Sequence, residues 1–202
     1  MSIISETHRD DLTAKTGMWF FLFTEMLLFG GLFIVYSVYR FRNPVAFHLA
    51  AQDLSVTIGT VNTIILLISS TTIAMSISAI QKENRKLALL FLGITLLLGL
   101  AFLVNKYFEW GEHIKGNIYP GSSTLSARGH GDVLFYGLYF FMTGLHALHI
   151  IAGLILISIV TVKVIRDQIR ADNFIFMENS GLYWHLVDLI WIFLFPLFYL
   201  IT

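Results

Sequence analysis

Five stretches of this chain run almost without charge, separated by short polar intervals: residues 17–39, 56–80, 87–108, 133–162 and 182–201. A helix needs roughly 20 mostly apolar residues to cross about 30 Å of hydrocarbon, and each stretch meets that requirement. The pattern predicts an all-α, polytopic membrane protein: a bundle of five transmembrane helices forming one domain over residues 1–202. The intervals differ in kind. Residues 81–86 are short enough for a tight hairpin, which makes the second and third spans antiparallel neighbours. Residues 111–132 pass through Pro120-Gly121-Ser122-Ser123, whose turn chemistry stops a continuous helix. The first apolar run follows a polar stretch, residues 5–15, and has no small-residue cleavage site behind a short apolar core. It therefore reads as a retained helix, with the mature chain starting near Met1.

Composition supports this class, with 56% hydrophobic residues, 13% charged residues and a mean hydropathy of +0.76 over 202 residues. The absence of cysteine excludes disulfides, thiolate metal sites, cysteine-ligated iron–sulfur clusters and covalently attached c-type haem in this chain. Net charge is zero, with neither a basic–aromatic patch nor a Gly-rich phosphate loop. Nucleic acid and nucleotides are thus excluded as partners, in favour of lipid and other membrane helices.

Charge placement orients the bundle. Arg9, Lys15, Lys82, Arg85, Lys86, Lys163, Arg166 and Arg170 fall on one side, and Arg40, Arg42, Lys106, Lys115 and Arg128 on the other. The positive-inside rule puts the N-terminus in the cytoplasm and the C-terminus on the periplasmic side. No internal repeat divides the spans into two halves, which counts against a secondary transporter. In the second span, Ser70, Ala74 and Ser78 recur every four residues as a helix-packing stripe. Asn62 and the hydroxyls of Ser69-Ser70-Thr71-Thr72 can be satisfied within the bundle or by the preceding turn.

Ionisable residues inside spans are the candidates for function. They are Glu25 in the first span, His146 and His149 in the fourth, and His185 and Asp188 in the fifth. Each of the two pairs is spaced by three residues and so shares a helix face. At 1.5 Å per residue, Glu25 lies about 12 Å and Asp188 about 9 Å from the cytoplasmic ends of their apolar runs. His149 and His146 lie roughly 20 to 24 Å from theirs. Glu25 reads either as a neutral acid donating one hydrogen bond between helices or as a group in proton traffic or lipid contact. His146 and His149 read as interhelical hydrogen-bonding groups, with metal ligation the sharper alternative. His185 and Asp188 could pair, pinning the fifth helix in register. Glu109, Glu112 and His113 form an outer interfacial polar cluster beside Trp110.

These blocks together resemble the subunit III family of haem-copper terminal oxidases in its five-helix bacterial form. The resemblance rests on Gly17-Met-Trp-Phe-Phe-Leu-Phe-Thr-Glu25 with Gly30, Val61-Asn62-Thr63 with Ser69-Ser70, Leu97-Leu-Gly-Leu-Ala-Phe102, Gly144-Leu-His-Ala-Leu-His-Ile-Ile-Ala-Gly153 and Tyr183-Trp-His-Leu-Val-Asp-Leu-Ile-Trp-Ile-Phe-Leu-Phe195. It covers nearly the whole chain, in the family's order.

The resemblance implies a subunit without a catalytic centre or metal of its own. It would pack against subunit I of an oxygen-reducing, proton-pumping complex in the bacterial inner membrane, with subunit II and a small subunit IV. Haems and copper would lie in those partner chains, with cytochrome c or quinol as electron donor, and the complex could join a respiratory supercomplex or be a relative associated with nitric oxide reductase. Glu25 matches the family's carbodiimide-reactive glutamate. With His146, His149, His185 and Asp188, it forms the candidate set for proton-uptake support or lipid-cleft contact. The two helices that precede this span in the longer mitochondrial form are missing, and with them one wall of the phospholipid cleft. The alternatives are a membrane-embedded oxygenase using His146, His149, His185 and carboxylates on a metal, and a small proton-linked transporter using Glu25 and Asp188.

Overall fold

The computed structural model describes the backbone of residues 2–200 and the side chains of residues 12–200. The Arg9 side chain, Met1 and the end of the fifth apolar run at Ile201 lie outside the described residues. Seven helices follow in order: α1 (Ser2–Arg42), α2 (Pro44–Gln52), α3 (Val56–Gln81), α4 (Arg85–Lys115), α5 (Ser123–Arg128), α6 (His130–Ile165) and α7 (Ile175–Tyr199). Five of them, α1 from Leu12 onward, α3, α4, α6 and α7, are long and apolar enough to cross a membrane. Among the described residues there is no β-sheet.

The two short helices sit in the intervals. Asn43-Pro44 starts α2, because proline at the first helical position lacks only an N–H that would be unbonded there anyway. This helix buries Phe47, Ala50 and Ala51. Ser122 starts α5 by accepting a hydrogen bond from the Leu125 amide at 3.2 Å. The turn between α3 and α4 is tight, with Asn84 Oδ1 accepting from the Leu87 amide at 3.2 Å to open α4. α3 and α4 pack along each other as an antiparallel pair, as the short interval predicts.

α7 is the central helix and α1 the peripheral one. In the most apolar stretch of α7, 56% of residues are buried, against 11% in α1. α7 packs on α6, α3 and α1, and closes the bundle around Trp184, Trp191 and Phe198. Glycine makes this possible at two levels. A Cβ on Gly153 would come within 2.7 Å of the Trp184 ring, and one on Gly99 within 2.8 Å of the same ring. The indole therefore lies between the backbones of α6 and α4. Its N–H is not stranded, since Trp184 Nε1 donates to Ser69 Oγ on α3 at 3.0 Å.

The small-residue stripe on α3 is displaced from the expected register. Ser69, Thr72 and Ser76 are the buried residues, whereas Ala74 is exposed and Ser70 and Ser78 are half-buried. The reason is hydrogen bonding as well as size. Thr72 Oγ1 meets Thr95 Oγ1 at 2.7 Å, and Ser76 Oγ donates to the Ala88 carbonyl at 2.9 Å, so the hydroxyl face turns toward α4.

Because the Trp184 ring cannot move without reopening the α4–α6–α7 contact, Gly153→Ala should lower bundle stability by about 1–3 kcal/mol. Thermal unfolding in mild detergent measures this, and Gly93→Ala, at a half-buried position where a Cβ would meet nothing within 4 Å, serves as the neutral comparison.

Candidate functional site

The most heavily buried charge in the bundle is one the polar pattern did not single out. Lys106, counted above with the outer-side cations, is in no loop. Its side chain on α4 is 2% exposed. Each of the three ammonium hydrogens has an oxygen to meet: Glu109 Oε2, Tyr139 Oη and Tyr199 Oη, all at 3.0 Å. The carboxylate is equally complete. Its Oε1 accepts from Tyr139 Oη at 2.7 Å and from the Tyr199 hydroxyl. The ammonium also lies 4.9 Å from the Tyr139 ring centroid and 5.5 Å from that of Trp191, within cation–π range. Two residues on α4 thus bind one tyrosine from α6 and one from α7 in a closed, neutral network. Lys106 and Glu109 at i and i+3 inside an apolar run are the signal that would have found it.

The expected outer trio Glu109, Glu112 and His113 divides accordingly. Glu109 belongs to this network, and His113 is buried against Tyr136, Tyr139 and Phe140. Glu112 is exposed and pairs with Lys115 at 3.1 Å. Glu109 and His113 point into the bundle, whereas Glu112 lies on the exposed border of that face. Nearby, Arg128 donates to Asp53 Oδ2 at 2.6 Å and Tyr136 Oη to the same oxygen at 3.0 Å, tying the end of α2 to α5 and α6. The hydrogen bond to Asp53 raises the already high pKa of Arg128.

Glu25 and His149 meet across the α1–α6 boundary, with Oε2 2.9 Å from Nε2 and both side chains 15% exposed. Depth counting had put Glu25 nearer the membrane surface than His149. Counted from Leu12, where the described apolar helix begins, Glu25 lies about 20 Å in, level with His149. The proton inventory of the pair follows from its geometry. His149 Nδ1 is 2.8 Å from the Leu145 carbonyl, which only accepts, so Nδ1 carries a hydrogen. Nε2 and Oε2 then hold one further proton between them, either as carboxylic acid and imidazole or as carboxylate and imidazolium. Both forms are neutral overall, so the proton can move between the two groups without changing the net charge in the membrane.

The remaining candidates are dispersed. His146 is fully buried between Phe102 and Trp191, and neither ring nitrogen has a hydrogen-bond partner. His185 Nδ1 lies 2.6 Å from Ser70 Oγ on α3. Asp188 is 3% exposed, with the Ser70 side chain as a polar neighbour. The expected His185–Asp188 pair is therefore absent, because α7 turns His185 toward the Ser70 hydroxyl. Sequence alone does not single out Ser70 as a site residue, since serine hydroxyls in apolar helices ordinarily bond back to their own turn, nor Tyr139 and Tyr199, whose hydroxyls reach across to α4. Among the described residues no three His, Asp or Glu side chains converge as metal ligands. His149 has both nitrogens committed, and His146 and His185 face different neighbours.

A model of the family described as cytochrome c oxidase subunit III matches residues 5–202. The chain belongs to that family. Among subunit III relatives, it is similar to a probable quinol oxidase subunit 3 of Staphylococcus saprophyticus, 28% identical over 99% of this chain and 94% of that protein. The corresponding protein of Staphylococcus aureus is 27% identical over the same shares. A heme-copper oxidase subunit I+III of Aeropyrum pernix is 30% identical over 93% of this chain. This chain spans 22% of the length of the Aeropyrum protein. As a subunit III chain, it holds Lys106 and Glu109 as a self-contained buried pair.

Removing one member of the Lys106–Glu109 pair leaves the other buried and unpaired, at a cost of about 3–5 kcal/mol. Lys106→Met and Glu109→Gln should each lower the melting temperature in detergent sharply, and the double variant should recover much of the loss. A double variant as unstable as the sum of the singles would show that the two residues act independently.

Proposed function

We propose that this protein is subunit III of a bacterial haem-copper terminal oxidase: a multi-pass subunit of the inner membrane that holds no redox centre and supports the chemistry of subunit I. The observation that carries the reading is the Aeropyrum relative, whose name joins subunits I and III in one chain. A fusion of that kind is a natural outcome for two subunits that lie side by side. The sparse burial of α1, with Trp19, Phe20, Phe23, Met26 and Leu27 exposed on the described surface, leaves apolar area for lipid and neighbouring subunits to cover. Subunit II and a small subunit IV complete the assembly, with haems and copper in partner chains, the haems in subunit I. The staphylococcal relatives favour quinol as the electron donor.

The orientation has its N-terminus in the cytoplasm. Lys106 drops out of the charge count because its charge is neutralised by Glu109 inside the bundle, which strengthens the bias toward the side of Lys82, Arg85, Lys163 and Arg166. Within this subunit the Glu25–His149 pair is the group suited to supporting proton uptake. It holds a proton that can change owner at constant net charge, close to a lipid-facing surface. Asp188 and His146, buried in the bundle, are secondary polar positions.

Gentle solubilisation should bring down a larger chain with haem absorbance and copper, while the isolated chain is colourless. Stoichiometric iron on the isolated chain would overturn the reading in favour of an oxygenase. Glu25→Gln keeps a donor to His149 Nε2 but supplies no transferable proton. Assembly should therefore be intact, while proton uptake at high pH slows or activity decays faster during turnover. Wild-type uptake and lifetime in that variant would reduce Glu25 to a packing role.

A further inference from the structure

Along the α4–α6 face runs an open groove of about 730 Å³, a volume in the usual range for ligand sites. One wall is an exposed stripe on α6, Ile151, Ile155, Ile159 and Val162, spaced to fall on a single helix face. Leu100 and Leu103 of α4 form the other wall. At the end of α6 this apolar surface stops and two cations follow, Lys163 and Arg166, which also line the groove. Neither has a carboxylate partner among the described residues. Lys163 Nζ rests 4.1 Å from the Phe176 ring centroid, and the neighbouring Asp167 is engaged by Arg85 and Arg170.

We propose that this groove binds an anionic phospholipid, with an acyl chain along the isoleucine stripe and the phosphate at Lys163 and Arg166. This rests on the reading of the chain as a membrane subunit with its N-terminus inside, and it names a lipid site which that reading leaves unlocated. Three observations favour a lipid over a partner's helix. The stripe from Ile151 to Val162 spans about 17 Å, close to the 15 Å or so of one leaflet's hydrocarbon. The cations then fall at headgroup level, in the leaflet where anionic lipids attract basic residues. The wall is made of branched side chains, whereas close helix–helix contact in membranes uses small residues that let backbones approach. None of the residues lining the groove belongs to α1, and among the described residues α4 makes no contact with α1.

The test uses the assembly in which the full chain is isolated, stripped of lipid and re-equilibrated with mixed micelles of phosphatidylglycerol and phosphatidylethanolamine, with retained lipid counted by native mass spectrometry. Wild type should retain phosphatidylglycerol preferentially. The K163Q/R166Q variant should lose roughly 10- to 30-fold of that preference, about the contribution of two cations at a membrane surface. Ile155→Trp, which fills the groove, should lose the bound lipid whatever its headgroup. Equal retention of both lipids by wild type, or an unchanged preference in K163Q/R166Q, overturns the proposal. So does an Ile155→Trp protein that loses a partner chain instead of lipid, since a helix would then occupy the face. Co-purification of a haem-bearing chain reports on the oxidase reading separately, so failure of one leaves the other legible.

Discussion

A lysine ammonium sealed inside a membrane bundle tolerates almost no rearrangement around it. Lys106 has three hydrogens and three oxygens to receive them, contributed by α4 itself, α6 and α7. Any shift of those helices by a fraction of a turn would strip an oxygen from the charge, in a medium with no water to replace it. The network therefore fixes the relative rotation and height of three of the five long helices. The contacts further along, Trp184 between Gly99 and Gly153 and Trp191 donating to Thr63 Oγ1 at 3.0 Å, follow from that placement.

Seen from this anchor, the helices differ in how they are held. α3 is bound to its neighbours by hydroxyls and amides, including Asn105 Nδ2 donating to Asn62 Oδ1 at 2.9 Å. α1 is held mainly at three levels: Lys15 against Glu178 at 2.8 Å, Glu25 against His149, and the Tyr36 hydroxyl on the Leu197 carbonyl. These are polar clasps on an otherwise exposed helix. In lipid such clasps carry more of the specificity than apolar contact does, because leucine gains little by leaving acyl chains for leucine.

The five long helices and the α3–α4 hairpin were legible in the chain, because hydrocarbon thickness and turn length act on consecutive residues. The family blocks were legible for the same reason, each lying within one helix. Lateral relations were harder to read. Glu25 and His149 were both named, yet their pairing depends on where α1 enters the membrane, and the apolar run conceals that point because the helix begins before it. A cation near the end of a span usually snorkels to a surface, whereas two of the three partners that keep Lys106 inside are 33 and 93 residues away. α2 was missed because nine residues are too few for periodicity to speak, although Asn43-Pro44 marks its start.

The Glu25–His149 clasp also has a temporal side. Its partners are 124 residues apart in the chain. A ribosome adding 5–20 residues per second takes about 6–25 s to make the imidazole after the carboxyl has emerged. Throughout that interval α1 has neither α6 nor α7 to lie against, and Glu25 has nothing in its own chain with which to share a proton. Membrane insertion of this protein contains a waiting period for α1, which begins to close when the fourth span delivers His149 and ends when α7 delivers Glu178 and the Leu197 carbonyl.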